Sequence, residues 1–365
     1  MANDLFHNFK PVTDQEWEAV LEKELRGASR ADRLVSEAPD GFLIQPYYRR
    51  KPVAKNGSAE NGGIQSILNR TYGNKWEIRA EIDVIQPDKA IALAEKLMQR
   101  EVNAIEFRVD SSLSASFRER LTKEGIRSVS NMILRDFPED KLDIDKPLPK
   151  SIQLDLLGSL AKKGNYCKFA EYDWHQLSTH VVGPLRNTRC ILVDATIWQN
   201  AGATPALELA LAIAAGHEYM VKLRSYGVEH TQTCKQLSIR MAAGPDFFSE
   251  IAKFRAIRLL WKLVLEPYTP KDRGPFIPMI QGANARWNKS RADRYNNLVR
   301  ATMESTAAII GGADSFSVLP HDGIFKIPSS FSRRIADNVQ HILKSEVYLD
   351  KVADPAAGSW YIESL

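Results

Sequence analysis

Short apolar runs rich in β-branched residues alternate along most of the chain with stretches of helical period. Strand-like runs fall at residues 76–84, 104–109, 126–134, 151–157, 190–195, 237–241, 276–280 and 315–319. Between them, apolar residues recur every three or four positions, the mark of a helix with one buried face. One helix opens at Pro87 and runs through Ala90, Leu93, Ala94 and Leu97, and a shorter one is expected near 117–121. Another opens at Thr204 and Pro205, a cap and first-turn pair, and carries Leu207, Leu211 and Ala214. Longer helices are expected over 247–264, 293–310 and 330–343, the last with Phe331, Ile335, Val339 and Ile342 on one face. Eight such alternations over somewhat more than the ~250 residues typical of the fold predict a (β/α)8 TIM barrel. A doubly wound open sheet is the competing topology.

The pattern differs at the N-terminus. Thr13 to Glu16 forms a capping box, Trp17, Val20, Leu21 and Leu25 make an apolar stripe, and Gly27 stops a helix of about 13–26. Phe6 and Phe9 precede it, and Phe42, Tyr47 and Tyr48 follow. An arm over 1–50 with exposed aromatic anchors needs a surface to lie on, either its own barrel or a partner subunit. Residues 51–63, KPVAKNGSAENGG, read as a flexible loop before a barrel domain at 64–365.

With 365 residues, 44% hydrophobic and 26% charged, the chain has the composition of a soluble globular protein. The net charge of +4 comes from interspersed signs, as in Arg118-Glu119-Arg120, which argues against a nucleic-acid footprint. Cys167, Cys190 and Cys234 lack metal-ligand spacing and read as reduced thiols of a cytosolic protein. No secretory signal opens the chain, and no apolar run approaches the ~20 residues of a membrane span. The seven histidines show no HxxxH pairing, so no metal site is expected. The glycines Gly202, Gly311 and Gly312 fit no phosphate-cradling loop, and no GxSxG is present. Asp173 to Ser178 comes close to DxHxxG, a corrinoid-protein motif, but Ser178 replaces the glycine that lets backbone approach a corrin. Glu171, Tyr172 and Asp173 read as a solvated helix surface.

The stretch 189–219, RCILVDATIWQNAGATPALELALAIAAGHEY, combines a strand, a tight loop at 199–204 and a helix. It resembles methylmalonyl-CoA mutases in its QNAGAT core, its Glu208-Leu209-Ala210 and its Gly216-His217-Glu218-Tyr219. The resemblance extends through the N-terminal FxPVTxxEW and PYY patterns, the helix from Asp246 to Trp261, Asn296 to Arg300, and the closing Asp354 to Leu365. It covers nearly the whole chain and implies the barrel of an adenosylcobalamin-dependent acyl-CoA mutase.

The positions that the resemblance marks as functional have changed. Thr196 and Ile197 stand where the family has its catalytic Tyr and its His, and Glu81 stands at a second Tyr. Lys163 falls near the Arg that grips the substrate carboxylate; it keeps the charge but not the two-pronged geometry. Gln281, Gly282 and Ala283 replace a His-Ser-Gln trio, and Ser317, Val318 and Leu319 a His-Thr-Asn run. A frame kept with its donors lost implies a non-catalytic small (β) subunit. Adenosylcobalamin would then belong to the family complex and not to this chain alone, since the sequence stops where catalytic relatives continue into a cobalamin-binding domain. The implied partner is a catalytic subunit in a cytoplasmic, bacterial heterodimer, with a homodimer in isolation as the alternative. Two other readings stay open: a divergent acyl-CoA mutase barrel served by a separate cobalamin-domain protein, and a CoA-binding module. Both require an open axial channel, whereas the structural reading predicts bulky side chains filling it.

Overall fold

The computed structural model describes residues 12–27, 30–49, 74–121, 124–134, 149–183, 185, 188–268 and 276–365. The chain divides into two compact units, Met1–Pro52 and Val53–Leu365. In the first, helix α1 (Asp14–Glu24) starts at Thr13, whose hydroxyl accepts from the Glu16 amide while the Glu16 carboxylate accepts from the Thr13 amide. This reciprocal cap satisfies two donors that a helix start otherwise leaves orphaned. Gly27, at φ +86°, turns the chain just past the helix in a conformation that a β-carbon disfavours. Helix α2 (Arg30–Leu34) and a hairpin of β1 (Ser36–Glu37) with β2 (Leu43–Ile44) follow. Tyr47 stacks on Trp17 with ring centroids 5.5 Å apart, so one expected anchor is engaged within the arm itself. Phe6, Phe9 and the loop at 51–63 lie outside the described residues.

The second unit is a (β/α)8 barrel. Its parallel strands are β3 (Glu77–Asp83), β4 (Ala104–Val109), β5 (Ser130–Leu134), β6 (Ser151–Gln153), β7 (Ile191–Asp194), β8 (Leu237–Ala243), β9 (Met279–Asn284) and β10 (Ser315–Ser317). They pair in the order β6-β5-β4-β3-β10-β9-β8-β7. A single parallel bridge between Leu154 and Ile191 closes the ring: the Leu154 amide donates to Cys190 at 2.8 Å and the Leu192 amide to Leu154 at 2.9 Å.

The helices of this unit are α3 (Pro87–Met98), α4 (Ser114–Arg120), α5 (Glu124–Val129), α6 (Leu156–Lys163), α7 (Ala170–Val182) and α8 (Thr196–Asn200). After these come α9 (Pro205–Ser225), α10 (His230–Gln236), α11 (Phe247–Leu265), α12 (Asn296–Ile310), α13 (Ser330–Ser345) and α14 (Trp360–Ser364).

The strands alternate in polarity, and this decides where the core sits. Ile78 and Ile82 of β3, Ile105, Phe107 and Val109 of β4, and Ile239 and Met241 of β8 join one apolar shell with Leu97, Phe117, Tyr219, Phe254 and Trp261 of the helices. The intervening positions, among them Arg79, Glu106, Ser238 and Arg240, turn into the lumen. The hydrophobic core is therefore the layer between strands and helices, and the lumen is polar. Packing in the shell is tight: a β-carbon added to Gly216 of α9 would lie 2.7 Å from the Trp261 ring. Beneath β8, Lys253 of α11 is buried between Glu208 at 2.5 Å and Glu250 at 2.6 Å.

Several expected boundaries move. The run at 126–134 splits into α5 and β5, and the run at 151–157 ends early because Asp155 caps α6, accepting from the Gly158 amide at 2.8 Å. β9 begins at Met279 and not at Phe276, since Pro278 has no amide to give to a ladder. The supposed loop at 199–204 begins inside α8, where Gln199 is buried. Asp173 is buried as well: its carboxylate accepts from the amides of Cys167 and Lys168, a capping role that replaces the solvated reading.

Candidate functional site

Inward-facing residues of β3, β4 and β8 meet at the barrel axis. Arg240 Nη1 lies 2.5 Å from Glu106 Oε1. Their strands stand four apart in a ring of eight, so this ion pair spans the full width of the lumen. Arg240 also pairs with Glu81, which in turn takes Arg108 Nη2 at 2.8 Å. Arg79 Nη1 reaches Glu106 at 3.3 Å and Gln281 Oε1 at 3.4 Å. Arg79, Glu106 and Arg240 are all buried. Burial alone would raise the Glu106 carboxyl, but the guanidinium of Arg240, then those of Arg108 and Arg79, outweigh it and hold the group at about 2. Side chains do occupy the axis, and they are paired charges.

Above this layer, at the C-terminal ends of the strands, a cavity of about 730 Å³ opens to the surface. This is the end of a parallel barrel where loops from every strand converge. Seven of the positions singled out in the sequence line it: Glu81, Thr196, Ile197, Ala283, Ser317, Val318 and Leu319. Gln281 sits below, bonded into the charged layer. Lys163 does not face the cavity; it borders a small separate pocket with Tyr166 and Cys167, while Lys162 reaches the mouth. One residue along a helix turns the side chain by about 100°, which accounts for the exchange.

The groups that give the mouth its charge are others. Asp155, at the end of β6, accepts from Gly158 and from the Tyr219 hydroxyl through Oδ1, and from the Asp194 amide through Oδ2. Burial first, then the neighbouring Asp194 carboxylate, push Asp155 up to about 6. Asp194 accepts from the Thr196 hydroxyl at 2.5 Å, which commits that hydroxyl to a local bond. Asp337 of α13 is likewise pushed by burial to about 6, against the pull of Arg100, His341 and Arg333. A charge inside an otherwise apolar strand, as with Arg240 in LSIRMAA, is the sequence signal that could have pointed to the axial layer. Among the described residues, no group of three or more His, Cys, Asp or Glu side chains is placed to hold a metal ion, and no helix is long and apolar enough to cross a membrane.

The family model described as methylmalonyl-CoA mutase matches residues 139–365, well over half of the chain. The chain belongs to the methylmalonyl-CoA mutase family. It is 29% identical, over 99% of its length, to a methylmalonyl-CoA mutase small subunit of Porphyromonas gingivalis, and spans 61% of that protein. It is 29% identical over 98% of its length to a small subunit of Propionibacterium freudenreichii subsp. shermanii, spanning 60% of it. A small subunit of Streptomyces virginiae is 39% identical over 48% of this chain and 28% of its own. The chain thus spans about three-fifths of the curated relatives that it matches over nearly its whole length.

The residues present do not fit the acyl-CoA of a methylmalonyl-CoA mutase laid along the barrel axis. The Arg240–Glu106 pair occupies that path, and displacing it would leave buried charges without partners. At the corrin-facing positions implied by the resemblance, Ile197 offers only hydrocarbon and Thr196 is engaged with Asp194. No catalytic step through adenosylcobalamin follows from these side chains.

Proposed function

We propose that this chain is a non-catalytic, small-subunit-like component of an adenosylcobalamin-dependent methylmalonyl-CoA mutase, with the conversion of methylmalonyl-CoA to succinyl-CoA carried by a partner catalytic subunit in the bacterial cytoplasm. The observation that carries this reading is the ion pair across the barrel axis. Rearrangement of an acyl-CoA needs preorganised donors around the thioester and the migrating group. Here the lumen charges are engaged with one another, and Thr196, Ile197, Ser317 and Leu319 stand at the positions that hold such donors in the family. The similarity to three small subunits adds support.

The test has two arms. The purified chain with adenosylcobalamin is expected to show no isomerisation of methylmalonyl-CoA and no calorimetric binding of CoA that resists excess citrate; measurable turnover would refute the reading. Mixed with a catalytic mutase chain, it should sediment as a heterodimer, and a chain that stays monomeric beside that partner counts against the role. The open mouth favours a second reading, in which a divergent barrel serves a different acyl-CoA with a separate cobalamin-domain protein, or simply binds CoA. Saturable CoA binding that excess citrate does not displace would select it.

A further inference from the structure

At the mouth, the carboxylates of Asp155, Asp194 and Glu81 are taken, while part of the cationic lining has no ion-pair partner among the described residues. Asp155 takes three hydrogen bonds, Asp194 takes the Thr196 hydroxyl, and Glu81 is held by Arg240 and Arg108. Three cations from three separate elements also line the cavity: Lys162 of α6, Arg286 after β9 and Arg333 of α13. Among the described residues, none of the three has a carboxylate within ion-pair distance; the Arg333 guanidinium donates to the backbone carbonyl of Glu81 at 3.1 Å. Among the described residues, the Ser317 hydroxyl is buried and makes no hydrogen bond, and Asp337 Oδ2 is ion-paired with Arg100 at 3.7 Å but accepts no hydrogen bond.

We propose that the mouth binds a small, free, hydroxylated polyanion, carrying at least two phosphate or carboxylate charges and entering from the C-terminal face of the barrel. Its anionic groups would reach Lys162, Arg286 and Arg333, and its hydroxyls Ser317 and Asp337. The cavity, at about 730 Å³, lies within the ~300–1,000 Å³ usual for small-molecule sites. A guanidinium matches either anion through paired N–H donors. The proposal takes from the closed-axis reading only that the charged layer floors the cavity, so that a ligand enters and leaves through the mouth.

The experiment is calorimetry of the full chain at low salt with citrate, glucose 6-phosphate, glucose and CoA, each titrated separately. Citrate or glucose 6-phosphate is expected to bind at one site with a dissociation constant below about 1 mM, and glucose not to bind. Whichever anion binds shows whether carboxylate or phosphate is the preferred source of charge. Arg333→Gln and, independently, the exposed Arg286→Gln should each weaken binding about tenfold or more, while Lys96→Gln, on an outer helix, should leave it unchanged. No saturation by either anion at 10 mM (roughly the weakest affinity of interest), or equal affinity in both arginine variants and the parent, would overturn the proposal. CoA separates the two ideas by competition: CoA displaced by either anion is held at the mouth through its phosphates, CoA that binds while the anion stays bound has entered the axis and defeats the closed-axis reading, and silence from both anions defeats only the mouth site.

Discussion

Glu106→Gln probes the charged layer most directly. Glutamine keeps the shape of the side chain and removes the one carboxylate that Arg79, Arg108 and Arg240 share, leaving Glu81 as the main counter-charge within the lumen. Glu106 is fully buried, and the guanidinium groups hold it at about 2 against an ordinary 4.5. At ~1.36 kcal/mol for each pH unit, that depression corresponds to about 3 kcal/mol. The figure agrees with the ~3–5 kcal/mol lost when one member of a buried ion pair is removed. Because the folded-state value lies below the unfolded one, this stabilisation is present above about pH 4.5 and drains away as pH falls toward 2. Urea unfolding at pH 7 should therefore show Glu106→Gln less stable by about 3 kcal/mol, with the gap to the parent narrowing by pH 3. A loss under about 1 kcal/mol at pH 7, or a gap that fails to narrow, would refute the reasoning.

Other substitutions address the shell and the mouth. Gly216→Ala drives a methyl against the Trp261 ring and should cost about 1–3 kcal/mol in thermal or urea unfolding; a neutral result would mean that α9 and α11 separate freely. Lys253→Met leaves Glu208 and Glu250 buried without their cation, and a loss of about 3–5 kcal/mol at neutral pH is expected by denaturation. Asp155 behaves oppositely to Glu106. Its folded value is raised from 3.8 to about 6, so its contribution is fully present below about 4 and is lost as pH climbs through 6. Stability of the parent should fall across that window, and Asp155→Asn should flatten the fall; identical pH profiles would count against the assignment.

Much of the fold was legible because the apolar shell lies on alternate strand positions and helix faces, and both periods survive in the sequence. The ends of strands were harder. The C-terminal half of β9 reads Gln281-Gly282-Ala283-Asn284, which looks like a loop until the barrel closes around it. Helices α6 and α7 were blurred by the buried caps Asp155 and Asp173, whose side chains resemble those of a wet surface. Thr196, Ile197 and Ser317 were marked through the resemblance to the family's motifs, and they line the cavity. The Arg240–Glu106 pair could not, because its members lie 134 residues apart and meet only across a finished ring. A charge such as Arg240 within a strand flags an unusual position but does not name its partner. Arg333 gave no sign either, being one of two adjacent arginines on a helix whose other side is exposed.

The ring is laced by ladders of at least three registered residues at each of its other junctions, and by one bridge where β6 meets β7. Asp155 and Asp194 sit on the two lips of that seam, coupled by the hydrogen bond between them. A strain that parts the wall there shifts this acidic pair before any of the laddered junctions gives way, the firmest being the six-residue ladder of β8 with β9, so the barrel opens like a ring with a single split.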